Sequence, residues 1–272
     1  MRVVTLASSS SGNATLVEAG NTALLVDAGL SARMLVTRLR AAGRDPRTLA
    51  GIVLTHEHGD HVAGALALAA QYHLPIHADA RTLAALRAAP VTDDAASEPT
   101  TLVPQSVGSQ WEIGELRLTS FAVPHDAAAP CGYVIGTAAW RMCLVTDCGE
   151  MTENILRHMQ MAQLLIIEAN HDRTRLLRGP YTTSLKRRIL GPTGHLANDQ
   201  TAEALHVCLD ADPRWVWLAH LSRTNNTPDL ARTTIAERLG ARRMRVAKLA
   251  VAPPGMGLAW DSAHLLVAPA AR

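Results

Sequence analysis

Between Thr55 and His61 the chain reads Thr-His-Glu-His-Gly-Asp-His, which places four potential metal ligands, His56, His58, Asp60 and His61, within six residues. Imidazole and carboxylate together suit Zn²⁺, Mn²⁺ or Fe. His56 and His58 are two apart, so extended backbone can point both the same way. Gly59 permits a tight bend, after which Asp60 and His61 enter a helix start and can serve a second metal nearby. The plain alternative is a solvated His-rich turn with Asp60 as a helix cap.

Other ligand-type residues recur at the ends of β-like runs. Leu24-Leu25-Val26 ends in Asp27, Phe121-Ala122-Val123-Pro124 leads to His125, and Cys143-Leu144-Val145-Thr146 ends in Asp147. Leu165-Ile166-Ile167 ends in Glu168, and Val216-Trp217-Leu218-Ala219 ends in His220. Residues just past strand ends can converge on one edge of a sheet, where α/β folds place their ligands. Buried strands deliver them rigidly.

The elements that must do this positioning are legible in outline. Arg2–Ala7, Ala14–Glu18 and Ala23–Asp27 alternate as strands between turn signals. Gly51–Thr55, Glu115–Val123, Cys131–Ile135, Arg141–Thr146, Leu164–Ile167, Trp215–Ala219 and Val246–Ala252 read as further strands. Helical spacing marks 31–42, 62–71, 81–88, 152–160, 186–190, 201–209 and 229–239. Val91–Pro104, rich in Pro, Thr and Asp, reads as a loop. No linker and no internal repeat at a fixed short period is evident, so residues 1–272 read as a single domain.

Bulk properties agree with a packed α/β protein. The 272 residues are 48% hydrophobic but only 3% aromatic, so the core must rest on Ala, Leu and Val. The net charge of +2 neither argues for nor excludes a nucleic-acid partner. No apolar run is long enough to span a bilayer, and the start of the chain lacks a signal peptide's apolar stretch. A cytoplasmic protein without a membrane partner is expected; oligomeric state is not legible. Cys131, Cys143, Cys148 and Cys208 lack CxxC spacing and read as reduced core residues, with Cys148 beside Asp147 an alternative thiolate ligand.

The His56-x-His58-x-Asp60-His61 segment resembles the HxHxDH motif of the metallo-β-lactamase superfamily, and Asp27, His125, Asp147 and His220 fall in that superfamily's order. Ser8-Ser9-Ser10-Ser11-Gly12-Asn13, Glu168-x-Asn170-His171-Asp172, Gly194-His195-Leu196-x-Asn198 and His220-Leu221-Ser222-x-x-Asn225-Asn226 resemble the YycJ (WalJ) branch. The resemblance implies a four-layer αββα sandwich and a two-metal site. His56, His58 and His125 would bind one ion, Asp60, His61 and His220 the other, and Asp147 would bridge them. Such a pair, typically about 3.5–4 Å apart, lowers the pKa of a bridging water. Zn²⁺ is the first expectation for both ions, with Mn²⁺ or Fe as alternatives. Gly194-His195 and His220-Leu221-Ser222 also resemble ribonuclease Z. Thr224-Asn225 replaces that enzyme's Arg-Tyr, however, and no tRNA-clamping arm is evident, which speaks against tRNA.

Around these ligands, Asp60 and His195 are the expected catalytic residues, His195 as a proton donor or phosphoryl-oxygen stabiliser. Asp27 is a candidate acceptor for a ligand imidazole or a turn-forming residue before Ala28-Gly29, and Glu168 is a candidate for the same support. Ser10 and Asn13, in a loop that also reads as a hairpin turn, and His171 and Asp172 are candidate substrate contacts. Lys186-Arg187-Arg188 with Arg173, Arg175 and Arg178 form the basic concentration nearest the site, either a solvated helix face or a phosphate track. His73, His77, His158, His206 and His264 lack motif context and read as surface or satisfied core residues. The expected activity is metal-dependent phosphodiester hydrolysis on nucleic acid, DNA more than RNA, of exonuclease type. The alternatives are a small-molecule hydrolase of a cyclic phosphodiester, thioester or lactam, and a non-hydrolytic member of the fold, either a redox di-iron protein or an inactive scaffold.

Overall fold

The computed structural model describes residues 1–88, 100–209 and 214–265. Most of the Val91–Pro104 loop lies outside these; its last residues, Leu102–Pro104, form a strand. The first half of the chain runs β1 (Arg2–Ala7), β2 (Ala14–Ala19), β3 (Thr22–Val26), α1 (Ala32–Ala41), β4 (Gly51–Val53), α2 (Gly59–Val62), α3 (Ala65–Tyr72), β5 (Ile76–Ala78), α4 (Ala80–Ala88) and β6 (Leu102–Pro104). The second runs β7 (Gln110–Ile113), β8 (Leu116–Ala122), β9 (Cys131–Gly136), β10 (Arg141–Val145), α5 (Glu153–Gln160), β11 (Leu164–Glu168), α6 (Arg173–Arg178), α7 (Thr183–Leu190), α8 (Asn198–Cys208), β12 (Arg214–Ala219), α9 (Pro228–Met244) and β13 (Ala247–Val251). β14 (Ala259–Asp261) returns to the first sheet beside β1.

Two seven-stranded sheets result, ordered β14-β1-β2-β3-β4-β5-β6 and β13-β12-β11-β10-β9-β8-β7. In both, an antiparallel meander gives way to parallel pairing at the strand that precedes a crossover helix, β3 in one and β10 in the other. Topology therefore carries a repeat that has no counterpart as a short sequence period.

Period-two alternation sorts the strand side chains into three layers of core. Leu24 and Val26 of β3, Met142 and Leu144 of β10, and Trp217 of β12 meet between the sheets. Their neighbours Leu25, Cys143, Val145, Val216 and Leu218 face outward, under helices. Leu35 and Leu39 of α1 with Leu68 of α3 cover the first sheet. Ile155 and Met159 of α5, Leu205 of α8 and Ile235 of α9 cover the second. The stack is helix, sheet, sheet, helix, the expected αββα sandwich. Helix starts are fixed by side-chain caps: Ser31 accepts from Met34 N, Thr152 from Ile155 N, and Thr227 from Leu230 N ahead of Pro228.

The expected long strands and helices are present, with boundaries moved by a few residues. Thr201–Leu209 starts earlier, at Asn198, and Asp229–Leu239 extends to Met244 across a break at Gly240. Unanticipated are β5, β6, β7, β14 and α6, elements of three to six residues. His77 is not a satisfied core histidine, because both its ring nitrogens are buried without a partner.

Candidate metal centre

Six imidazoles and four carboxylates meet where strands of both sheets end. His56 and His58 follow β4 in extended backbone; His58 is the residue before α2, and Asp60 and His61 lie in its single turn. This is the expected division of the motif. The loop is clamped from behind, with Asn13 N donating to the Asp60 carbonyl (2.8 Å) and Ala28 N to that of His61 (2.7 Å). A Cβ on Gly29 would strike the Asp60 carbonyl, so glycine is required for that approach.

Three residues that face or support the cluster hold left-handed backbone although none is glycine: Asp27 (φ 58°), Asp147 (φ 54°) and His220 (φ 54°). Each sits one or two residues past a strand end, and the conformation turns the side chain across the sheet edge. Such backbone costs on the order of 1–2 kcal/mol per residue and persists only where its surroundings hold it. His220 shows how: its N–H donates to Ser8 Oγ at 2.8 Å and its carbonyl accepts from Asn170 Nδ2 at 3.0 Å.

Donor atoms fall into overlapping groups that could each hold a metal ion: His56, His58 and His125; Asp60, His61, Asp147 and His220; and Asp147, Glu168, His195 and His220. The first two bring together the residues that the sequence assigns to one ion and to the other, with Asp147 in the second. Asp147 lies between them, Oδ2 being 3.0 Å from His61 Nε2 and Oδ1 3.8 Å from His125 Nε2.

Most of these imidazoles are fixed through the nitrogen that faces away from the cluster. His61 Nδ1 donates to Asp27 Oδ2 (2.8 Å), His125 Nδ1 to the Gly194 carbonyl (3.1 Å) and His220 Nδ1 to Glu168 Oε1 (2.8 Å). The Thr55 hydroxyl donates to Asp27 and accepts from His56 Nδ1 at 3.0 Å. In the neutral rings Nε2 is left as a lone pair facing the cluster, the tautomer a metal requires. His56 Nε2 and Asp147 Oδ2 are buried and make no aligned hydrogen bond, although His61 Nε2 lies near the latter. Buried polar atoms rarely go unpaired, and a shared cation is the partner that this imidazole–carboxylate set fits.

Electrostatics couples the same groups to one another. Burial pushes the His220 ring down, but Asp147, Asp60 and Glu168 outweigh it and bring its pKa up to about 10. His61 is likewise raised, against burial, by Asp147 and Asp27. Burial pushes Glu168 up, and His195 and His220 overcome that, holding it at about 2. His56, faced by other imidazoles, is pushed well below its ordinary value, first by burial and then by His61.

Glu168 organises the second half of the site. Its Oε1 accepts from His220 Nδ1 and from His195 Nδ1 (2.9 Å), and its Oε2 from Cys148 N and Leu196 N. His195, with 16% of its side chain exposed, opens toward solvent, as does Asp60 with 24%. Glu168 and Asp147 raise the His195 pKa against burial. The predicted substrate contacts are less central. Asn13 reaches the cluster, its Nδ2 lying 3.0 Å from His61 Nε2. Ser10 is exposed at the loop rim, His171 is fully buried with both ring nitrogens unpartnered, and Asp172 caps α6 by accepting from Arg175 N. Cys148 turns its thiol to the Glu150 carbonyl, burial raises its pKa, and its sulfur does not fall in the donor groups. Arg188 and Arg173 of the basic run are paired with Asp126 and Asp199. Ser8, Thr55, Asn170 and the Gly194 carbonyl were not singled out for their supporting roles. Of these, only the place of Thr55 between a strand and the motif was a signal.

Comparison with known proteins agrees with this geometry. A beta-lactamase superfamily domain matches residues 22–221, a span that begins before Asp27 and ends after His220. Exodeoxyribonuclease WalJ of Streptococcus pneumoniae is 36% identical over 234 residues, covering 86% of each chain. Exodeoxyribonuclease YycJ of Bacillus anthracis is 34% identical over 232 residues, covering 85% of this chain and 86% of its own. Zn²⁺-bound PqqB from Methylobacterium extorquens superposes with a TM-score of 0.73 over 96% of this chain and all of its own; at 19% identity that likeness bears on the fold alone. Matching domain, relatives and donor geometry together show that the chain belongs to the metallo-β-lactamase superfamily of metal-dependent hydrolases and, within it, to the YycJ/WalJ family.

Proposed function

We propose that this hydrolase is a dinuclear phosphodiesterase that degrades DNA from its ends. The observation that carries the reading is the division of the site: His56, His58 and His125 form one donor group, Asp60, His61, Asp147 and His220 another, with Asp147 Oδ1 3.8 Å from His125 Nε2 and His195 beside them on Glu168. His56, His58 and His125 would hold one ion, Asp60, His61 and His220 the other, with Asp147 between. Zn²⁺ is the first choice, and Mn²⁺ or Fe are acceptable to the same donors. When bound, such ions supply concentrated positive charge for a phosphoryl oxygen and acidify water.

The chain's own groups do the rest. His195 is anchored through Nδ1, and Glu168 strengthens its hold on a proton, which leaves Nε2 as an acid for a departing alkoxide. Asp60 remains ionised because His220 and His61 outweigh the effect of its burial, so it can orient water at the open side. Asn13 steadies that carboxylate, and Ser10 is the exposed hydroxyl of the same loop for a phosphate. His171 is buried and Asp172 caps α6, so neither is assigned a phosphate contact. DNA as substrate, rather than RNA, is carried over from the printed names of the two relatives. We also place the protein in the cytoplasm, acting as one domain. Among the described residues no helix is long and apolar enough to cross a membrane.

The test compares metal-loaded and chelated protein on labelled single- and double-stranded DNA, RNA and a nitrophenyl phosphodiester. Metal-dependent release of nucleotides from DNA is expected. Turnover of a cyclic phosphodiester, thioester or lactam without any on DNA would overturn the reading in favour of a small-molecule hydrolase. His195→Ala should retain the metals and lose about 10²-fold or more on DNA. It should lose far less on the nitrophenyl ester, whose leaving group departs without a proton.

A further inference from the structure

Between β11 and α8 the chain leaves the sheet for residues 173–190, which hold six basic residues and no acidic one. The end of this excursion is fixed to the metal centre, and its start is fixed by a helix cap. At its start, Asp172 caps α6, one residue after the buried His171. At its end the Ile189 carbonyl accepts from His195 N at 2.9 Å, and a Cβ on Gly194 would strike that carbonyl. Arg188 pairs with Asp126, the neighbour of His125, and so fastens α7 to the rim. Lys186 Nζ donates to the Leu177 carbonyl at 2.8 Å and fastens α7 to α6. Arg175 lies against the Thr224 carbonyl of the loop that follows His220.

The charges divide into two sets. Arg173 and Arg188 are neutralised by Asp199 and Asp126. Arg175, Arg178, Lys186 and Arg187, with Arg223 on the adjoining loop, have no carboxylate partner among the described residues. Four of these five are exposed and Lys186 is half-buried. The proposed ligands are nearly all buried, and the side chains that open to solvent are those of His58, Asp60 and His195. A polyanion whose end reaches this opening needs partners outside it, and this excursion and the loop after His220, tied to the segments of His125 and His195, offer cations without a carboxylate partner among the described residues.

We propose that α6, α7 and the 222–225 loop form a basic lip that holds the phosphates of a single DNA strand as its end enters the site. The proposal rests on the nuclease reading above. Arg178 and Arg187 carry the test because neither touches the metal centre. Each cation on a single strand contributes about 0.7 to the slope of log affinity against log salt, so Arg178→Gln/Arg187→Gln should flatten it by about 1.4. KM for a single-stranded oligonucleotide should rise at least fivefold at low salt. Turnover of the nitrophenyl phosphodiester and the metal content should be unchanged. Metal-loaded wild-type protein that degrades DNA, with a double variant of unaltered KM and salt slope, would overturn the lip alone. A parallel fall on both substrates would also overturn it, by making the excursion a structural support. Wild-type protein that cleaves the small ester but no DNA would overturn the nuclease reading and the lip with it.

Discussion

The two halves of the molecule use the same topology for different work. In each, a strand at the change from antiparallel to parallel pairing ends near a left-handed aspartate, Asp27 after β3 and Asp147 after β10. A helix and a parallel strand follow, and that strand brings in His56 or Glu168. In the second half Asp147 faces the cluster directly and Glu168 stays behind it, holding His220 and His195. In the first half the order is inverted. Asp27 stays behind, accepting from Thr55 and from His61 Nδ1, while the Thr55–His61 loop covers it and supplies the donors. Equivalent position in the fold therefore does not fix chemical role; what the following loop places over the aspartate does.

The sharpest way to test the comparison is to remove each aspartate. Asp147→Ala should lose at least one of about two ions per chain, with turnover falling by about 10³-fold or more. Elemental analysis and kinetics on one preparation decide it. Retention of both metals with unimpaired activity would deny Asp147 the place between them.

Protons provide the next largest effect. Neighbouring carboxylates raise His220 to about 10 and raise His61 as well, so both are expected to hold protons near neutrality until a metal binds. Their pairing with carboxylates stabilises the metal-free fold fully below about pH 6.5 and is lost as pH rises through those raised values. A metal must displace both protons, so affinity at the Asp60–His61–His220 group should climb by up to about 100-fold per pH unit near neutrality. Titration calorimetry in buffers of different ionisation enthalpy should count about two protons released. His56 is pushed below its ordinary value, so its group should release fewer. Equal release at both groups would erase this difference between them.

Asp27→Asn should have a smaller effect than loss of Asp147, because Asp27 acts through His61. Second-layer carboxylates of this kind commonly contribute 10- to 100-fold in metal affinity. Chelator competition should show that loss at one ion, with the His56–His58–His125 group nearly unchanged. A loss as large as that of Asp147→Ala would mean that the two halves use their aspartates alike.

This asymmetry also decided what could be read from the sequence. The first-half donors are contiguous, so His56 through His61 declare themselves by spacing alone. The second-half donors are spread from His125 to His220 and were legible only because each closes an apolar run. Longer strands were recognisable as apolar or alternating runs, and β4 because its run continues to the motif, whereas the three residues of β5, β6 and β14 show neither. Supporting contacts left least trace. Gly194 supports His125 through a carbonyl that any residue type would possess. Asn170 and Ser8 act on the backbone of His220, so no ligand-type pairing signals them. Arg188 looked like part of a phosphate track because Asp126, which neutralises it, lies 62 positions away.

Ser8 provides the finest test, because it is the point where the first half holds a residue of the second. Its hydroxyl comes from the β1–β2 loop and accepts the N–H of His220 across 212 positions of sequence. That N–H is buried and belongs to a residue in left-handed backbone. Removing the acceptor leaves a buried donor unpaired at a cost of roughly 1–3 kcal/mol, and the least costly relief is to let the His220 peptide rotate. Rotation would carry the ring away from Asp60 and Glu168 while leaving the His56–His58–His125 group in place. Ser8→Ala should therefore weaken one ion about tenfold and the other hardly at all, as read by chelator competition, and Asn170→Ala should do the same from the carbonyl side. Ser8→Thr, which retains the hydroxyl, should restore most of the affinity. Equal weakening of both ions, or a lower melting temperature with unchanged metal affinity, would show that the contact serves the fold and not the position of His220.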